Sequence, residues 1–182
     1  MAADALEELK RLSRLMQWTC LIAIAAVLVA VTYSAVEVVI NPGAVAGYFD
    51  GNAAIHGDRI TRTQVVLAVA VNLLTIALVC RALFALWQMF GAFRAGHVLH
   101  RRTGRLIRSA GTNFLGAAVW GIVANTLTVL ILTINNAPGE RQLNLNLSTD
   151  QLFPLLMAGT LFAIGHVLSV AAAIDEENRA FV

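Results

Sequence analysis

Four polar side chains stand inside long apolar stretches of the chain: Asn72, Arg81, Asn125 and His166. An ionisable group in hydrocarbon is costly, so it is a candidate functional group by default. Arg81 lies ~15 Å of helix rise from the nearer end of its stretch. It could hold an anionic group such as a lipid headgroup or a partner's carboxylate, or reach the surface along its own aliphatic stem. His166 has the chemistry of an axial haem ligand, but haem needs a second ligand facing it. His97 and His100 fall at or beyond the end of the second apolar stretch, and a hydrogen bond from His166 to a neighbouring helix is the alternative. Asn72 and Asn125 are eight and nine residues from the same ends of neighbouring stretches, a depth at which two amides can meet.

Other chemistry finds little support. His97 and His100 have i, i+3 spacing without a carboxylate or thiol to complete a metal site. Cys20 and Cys80 lie within apolar stretches, where a free cysteine acts as a small hydrophobe. No nucleophile with a base, phosphate-binding glycine loop or carboxylate pair is visible, so no catalytic residue, metal or cofactor is expected.

These side chains must be positioned by the apolar stretches themselves. Apolar residues are 58% of the 182 and charged residues 13%, against about 25% charged in soluble domains. A membrane-crossing helix needs ~20 mostly apolar residues. Four segments qualify, at residues 18–40, 64–90, 114–134 and 151–173. Asn41-Pro42-Gly43 stops the first. Thr61 or Thr63 can cap the second, Asn135-Asn136-Ala137-Pro138-Gly139 ends the third, and Ser148 with Gln151 has capping-box spacing before the fourth. Pro154 falls in a first turn, where a missing N–H costs little. Small residues at four-residue spacing suggest close helix packing: Ala26, Ala30 and Ser34; Ala117 and Gly121; Gly159 and Ala163. The expected fold is all-α, a four-transmembrane-helix bundle.

Residues 1–17 form an amphipathic helix with a leucine stripe, lying at the interface or extending the first span. Residues 142–147 alternate Asn or Gln with leucine, which predicts a short strand. Residues 174–182 make an acidic tail. Lysines and arginines flanking the spans divide nine to three. Lys10, Arg11, Arg14, Arg94, Arg101, Arg102, Arg105, Arg108 and Arg179 oppose Arg59, Arg62 and Arg141. The positive-inside rule then puts both termini in the cytoplasm. Asp175, Glu176 and Glu177 oppose the dipole at the end of the last helix, so contact with Arg101, Arg102, Arg105 and Arg108 is expected, Arg105 with Glu177 in particular.

The run Phe93-Arg94-Ala95-Gly96-His97-Val98-Leu99, the run Arg105-Leu106-Ile107-Arg108-Ser109-Ala110-Gly111 and the ending Glu176-Glu177-Asn178-Arg179-Ala180-Phe181-Val182 resemble a bacterial integral-membrane family called domain of unknown function 2975. The resemblance covers most of the chain from the first span onward. It implies four transmembrane helices in a small inner-membrane protein, often encoded beside a helix-turn-helix regulator, and brings no known site residues. His100-Arg101-Arg102 stands where the family suggests a helix-capping hydroxyl.

The expectation is a non-enzymatic multi-pass protein of the bacterial inner membrane that acts through protein contacts. It would be an accessory subunit of a larger membrane complex or the membrane partner of a regulator. Its partners would be the bilayer, another membrane protein or a second copy, and a cytoplasmic regulator; direct nucleic-acid binding is not expected at a net charge of +2. A haem- or quinone-binding redox subunit resting on His166 is one alternative. A small transporter or immunity-type protein resting on Arg81 is another.

Overall fold

The computed structural model describes residues 2–49, 55, 60–95, 101–136 and 149–180. It is all-helical there. Four long helices, α1 (Ala2–Ile40), α2 (Arg62–Arg94), α3 (Arg101–Thr133) and α4 (Thr149–Ala180), are joined to one 3-10 helix, Pro42–Phe49. All four long helices are long and apolar enough to cross a membrane. The leucine-rich strand expected at 142–147 lies outside the described residues, as do His97 and His100.

Local chemistry sets the ends. Asn41 N–H makes the last bond of α1, to the Glu37 carbonyl at 2.8 Å, and Pro42 cannot continue the ladder. Thr61 takes extended dihedrals before α2. Its N–H donates to Gln64 Oε1 at 2.8 Å, the returning half of a capping box. The N-terminal segment extends α1 without a break rather than turning along an interface. The third helix begins at Arg101, ahead of the apolar segment 114–134, so the arginines ride on its first turns. Falling hydropathy is no stop signal, and no proline interrupts 101–113.

The helices pack in series, each antiparallel to the next. Contacts run from α1 to α2, α2 to α3 and α3 to α4, and among the described residues no Cα pair joins α1 with α4 or α2 with α4 within 8 Å. The bundle is therefore an open row. A cluster of Val38, Val45, Ile55, Ile60, Val65 and Leu132 closes the end that carries the 3-10 helix.

The α3–α4 seam is the tightest part. A Cβ on Gly111 would fall 2.8 Å from the Phe162 Cα, one on Gly104 2.8 Å from the Ser169 Cα, and one on Gly165 against the Arg108 backbone. Each facing pair of residue numbers adds to 273, which fixes the antiparallel register. Thr103, Ala110, Ala117 and Ala124, spaced by sevens, are buried on α3, as are Ala158, Gly165 and Ala172 on α4. Among helices in lipid, such close approach replaces the missing hydrophobic drive with van der Waals contact. The spacing here is seven and not the expected four: Gly159, Ala163, Ala26 and Ala30 are exposed, and nothing lies within 4 Å of a Cβ at Gly121 or Gly159.

Candidate functional site

Asn72, on α2, is the polar residue that does reach across the row. Its Nδ2 donates to the Ala68 carbonyl at 2.9 Å and to Thr128 Oγ1 at 3.0 Å. Thr128 in turn donates to the Ala124 carbonyl at 2.7 Å. The expected amide pair with Asn125 is not what meets it. Depth alone cannot choose between positions 125 and 128; helix rotation does, and it presents Thr128. Asn72 and Thr128 line a groove of about 320 Å³ that reaches α1 at Ser34 and Val38.

Two further side chains join α2 to α3. Gln64 is 5% exposed, and its Nε2 donates to the Ile131 carbonyl at 2.8 Å. One glutamine thus caps α2 and ties it to α3. The Trp120 indole donates to the Val71 carbonyl at 3.1 Å. That bond leaves a mark on Thr75. Threonines at 19, 32, 112, 126, 128, 133 and 160 donate to the carbonyl four residues earlier. The same acceptor for Thr75 is Val71, already taken by Trp120, and the buried Thr75 Oγ1 has no partner. It lines an apolar groove of about 470 Å³ between α2, α3 and α4, with Phe114, Pro154 and Leu161.

Arg81 lies on the open face of α2. It is exposed, as are Val66, Leu67, Leu74 and Phe84, residues that share one stripe at helical spacing. It forms no ion pair within the described residues. Trp87, six residues on, stands ~9 Å along the axis toward the arginine-rich end. A helical Cα–Cβ bond tilts toward the helix N-terminus. For α2 that direction leads away from the arginine-rich end, so the guanidinium must bend back to reach the nearer surface.

His166 is exposed on α4, next to the seam glycine Gly165. The other three histidines, His56, His97 and His100, lie outside the described residues. The guanidinium of Arg108 lies over the Phe162 ring, 5.3 Å from its centroid, a cation–π contact across the seam. Arg102 and Arg105 are exposed on α3. The side chains of Arg101, Asp175, Glu176 and Glu177 lie outside the described residues, and so does the expected contact of the arginines with the acidic tail, Arg105 with Glu177 included. By the seam register the backbone of Arg105 faces that of Leu168.

At the opposite end, the Tyr48 phenol donates to Glu37 Oε2 at 2.9 Å. This hydrogen bond to a carboxylate raises the phenol above its usual pKa, and slight desolvation and the Glu37 charge add to it. Glu37 thus has a local partner.

Hydropathy reading missed Gln17, Gln64 and Thr128. Gln17 stands beside Trp18, at the edge of the first apolar segment, where a polar side chain can meet its neighbour's backbone. Comparison with protein-family models, curated proteins and solved structures finds no match.

Proposed function

We propose that this chain is a non-enzymatic multi-pass protein of a bacterial inner membrane, working as an accessory subunit that docks laterally on a larger membrane complex. The observation that carries the reading is Arg81. It is an exposed cation without an ion-pair partner in the described residues, set in the apolar stripe of a helix in an open row. A cation held in hydrocarbon favours an opposing carboxylate, and the tilt of its Cα–Cβ bond works against escape to the nearer headgroups. A partner helix bearing an Asp or Glu at that depth satisfies it. The arginine-rich end faces the cytoplasm in this reading, by the nine-to-three division of basic residues. That end is also where a cytoplasmic regulator would bind, and membership of the resembled family belongs to the same reading.

Crosslinking in native membranes followed by mild-detergent purification and mass spectrometry tests it. The expected result is one membrane partner with an acidic residue within a span, lost from Arg81→Leu and kept by Arg81→Lys. A chain that purifies alone, or a partner indifferent to Arg81→Leu, contradicts the reading.

A further inference from the structure

Two adjoining grooves open at the arginine-rich end, on the side of α2 that carries Trp87 and Gly91. One, about 620 Å³, lies between α1 and α2 and is lined by Gln17, Trp18, Leu21, Trp87 and Arg94. The other, about 470 Å³, shares Gln17, Trp87 and Gly91 and continues to Arg102 and Thr103 on α3. They are built rather than incidental. Gln17 Nε2 donates to the Trp87 carbonyl at 3.3 Å, while Gln17 Oε1 accepts from Arg94 Nη1 at 3.3 Å. The glutamine therefore holds the guanidinium at the rim. Position 91 leaves room for it, since a Cβ there would fall 2.9 Å from Gln17 Nε2.

Charge and level say what fits. Neither Arg94 nor Arg102 has an ion pair within the described residues. The first turn of α3, starting at Arg101, adds backbone N–H groups with no helical acceptor and the positive end of the dipole. Trp18 lies 22 residues before Ile40, and Trp87 lies 22 residues after Val65. Each interval spans ~33 Å of rise, close to the ~30 Å hydrocarbon core. The two tryptophans thus mark the interfacial belt, and the grooves sit at the level of lipid phosphates. Leu21 and Trp18, both exposed, offer the first contact to an acyl chain.

We propose that these grooves bind the phosphate of an anionic membrane phospholipid, with Arg94 and Arg102 as its cationic ligands and Gln17 as the residue positioning Arg94. No described carboxylate lines either groove to receive the ammonium of a zwitterionic headgroup.

The test is native mass spectrometry of the full chain in mild detergent, titrated with phosphatidylglycerol, with phosphatidylcholine or with inorganic phosphate. Phosphatidylglycerol should bind at least tenfold more tightly than phosphatidylcholine. Removing one arginine, by Arg94→Gln or Arg102→Gln, should weaken it roughly fivefold. Arg105→Gln, which removes the same charge away from the grooves, should change it less than twofold. A measurement on the unaltered chain guards against variants that do not fold. Brominated phosphatidylglycerol should quench tryptophan emission more than brominated phosphatidylcholine, and Trp18→Phe should reduce the difference. Equal binding of the two lipids, equal quenching by them, or equal loss from Arg105→Gln and Arg94→Gln overturns the proposal. So does binding of inorganic phosphate as tight as that of the lipid, which would make the site one for free phosphate.

Discussion

The α3–α4 pair and the α1–α2 pair are built on opposite plans. At the first seam, glycine and alanine let two backbones touch along a seven-residue repeat. The second pair is held mainly at its ends, by Gln17 on the Trp87 carbonyl at one and the Val38–Val65 cluster at the other, with grooves between. In their most apolar windows, 28% of α3 is buried against 6% of α1, with α2 and α4 alike at 17%. The first pair is thus closely packed, and the second leaves most of α1 exposed. Arg81 lies on α2, as do Trp87 and Gly91, which line both grooves at the arginine-rich end.

The largest expected effect comes from breaking the closely packed half. Gly165→Leu drives a side chain into the Arg108 backbone, which no rotamer change relieves. It should cost about 3 kcal/mol or more, read as a drop in unfolding midpoint in mixed detergent. Gly121→Ala and Gly159→Ala meet nothing within 4 Å and should stay within about 0.5 kcal/mol. If all three behave alike, the seam is not where the two halves differ.

An intermediate effect is expected at Gln64, which joins the halves. Gln64→Leu leaves the Ile131 carbonyl without this donor and removes the acceptor of the Thr61 N–H. A loss of about 1–3 kcal/mol follows from leaving buried polar groups unmet. Hydrogen exchange should rise at the start of α2 and the end of α3, with the α3–α4 seam unchanged.

The smallest effect sharpens the description of the open half. The Tyr48 phenol is raised by its bond to Glu37. The bond favours the neutral phenol, so its contribution is present below the ordinary tyrosine range and is lost as pH rises through the raised value. Tyrosinate absorbance should show one tyrosine ionising late, and Glu37→Gln should bring it back toward the ordinary range.

Hydropathy and punctuation made much of this legible. Four spans, the stop at Asn41-Pro42 and the Thr61 cap can be read from residue types, because lipid and proline act locally. The first turns of α3 carry no apolar signal, since Arg101, Arg102, Arg105 and Arg108 lower hydropathy without ending a helix; the cap position at His100–Arg102 marks them only through the family resemblance. The seam was hidden by its period, as Gly104 and Gly111 stand seven apart on α3 and Gly165 belongs to the facing helix α4. Asn72 was found but its partner was not, because choosing Thr128 over Asn125 needs helix rotation as well as depth. The open row has no sequence signal at all, since an apolar face turned to lipid and one turned to another helix have similar composition.

A disulfide scan tests the open row most directly. In a chain lacking Cys20 and Cys80, single cysteines along residues 18–40 of α1 would be paired with single cysteines along 153–174 of α4 and oxidised in native membranes. A disulfide needs Cα atoms within about 7 Å, and among the described residues no α1–α4 pair comes within 8 Å. The row predicts no intramolecular α1–α4 link, while cysteines in register across α3 and α4 should join readily. Efficient intramolecular linking of α1 to α4 would mean a closed bundle and would contradict the account.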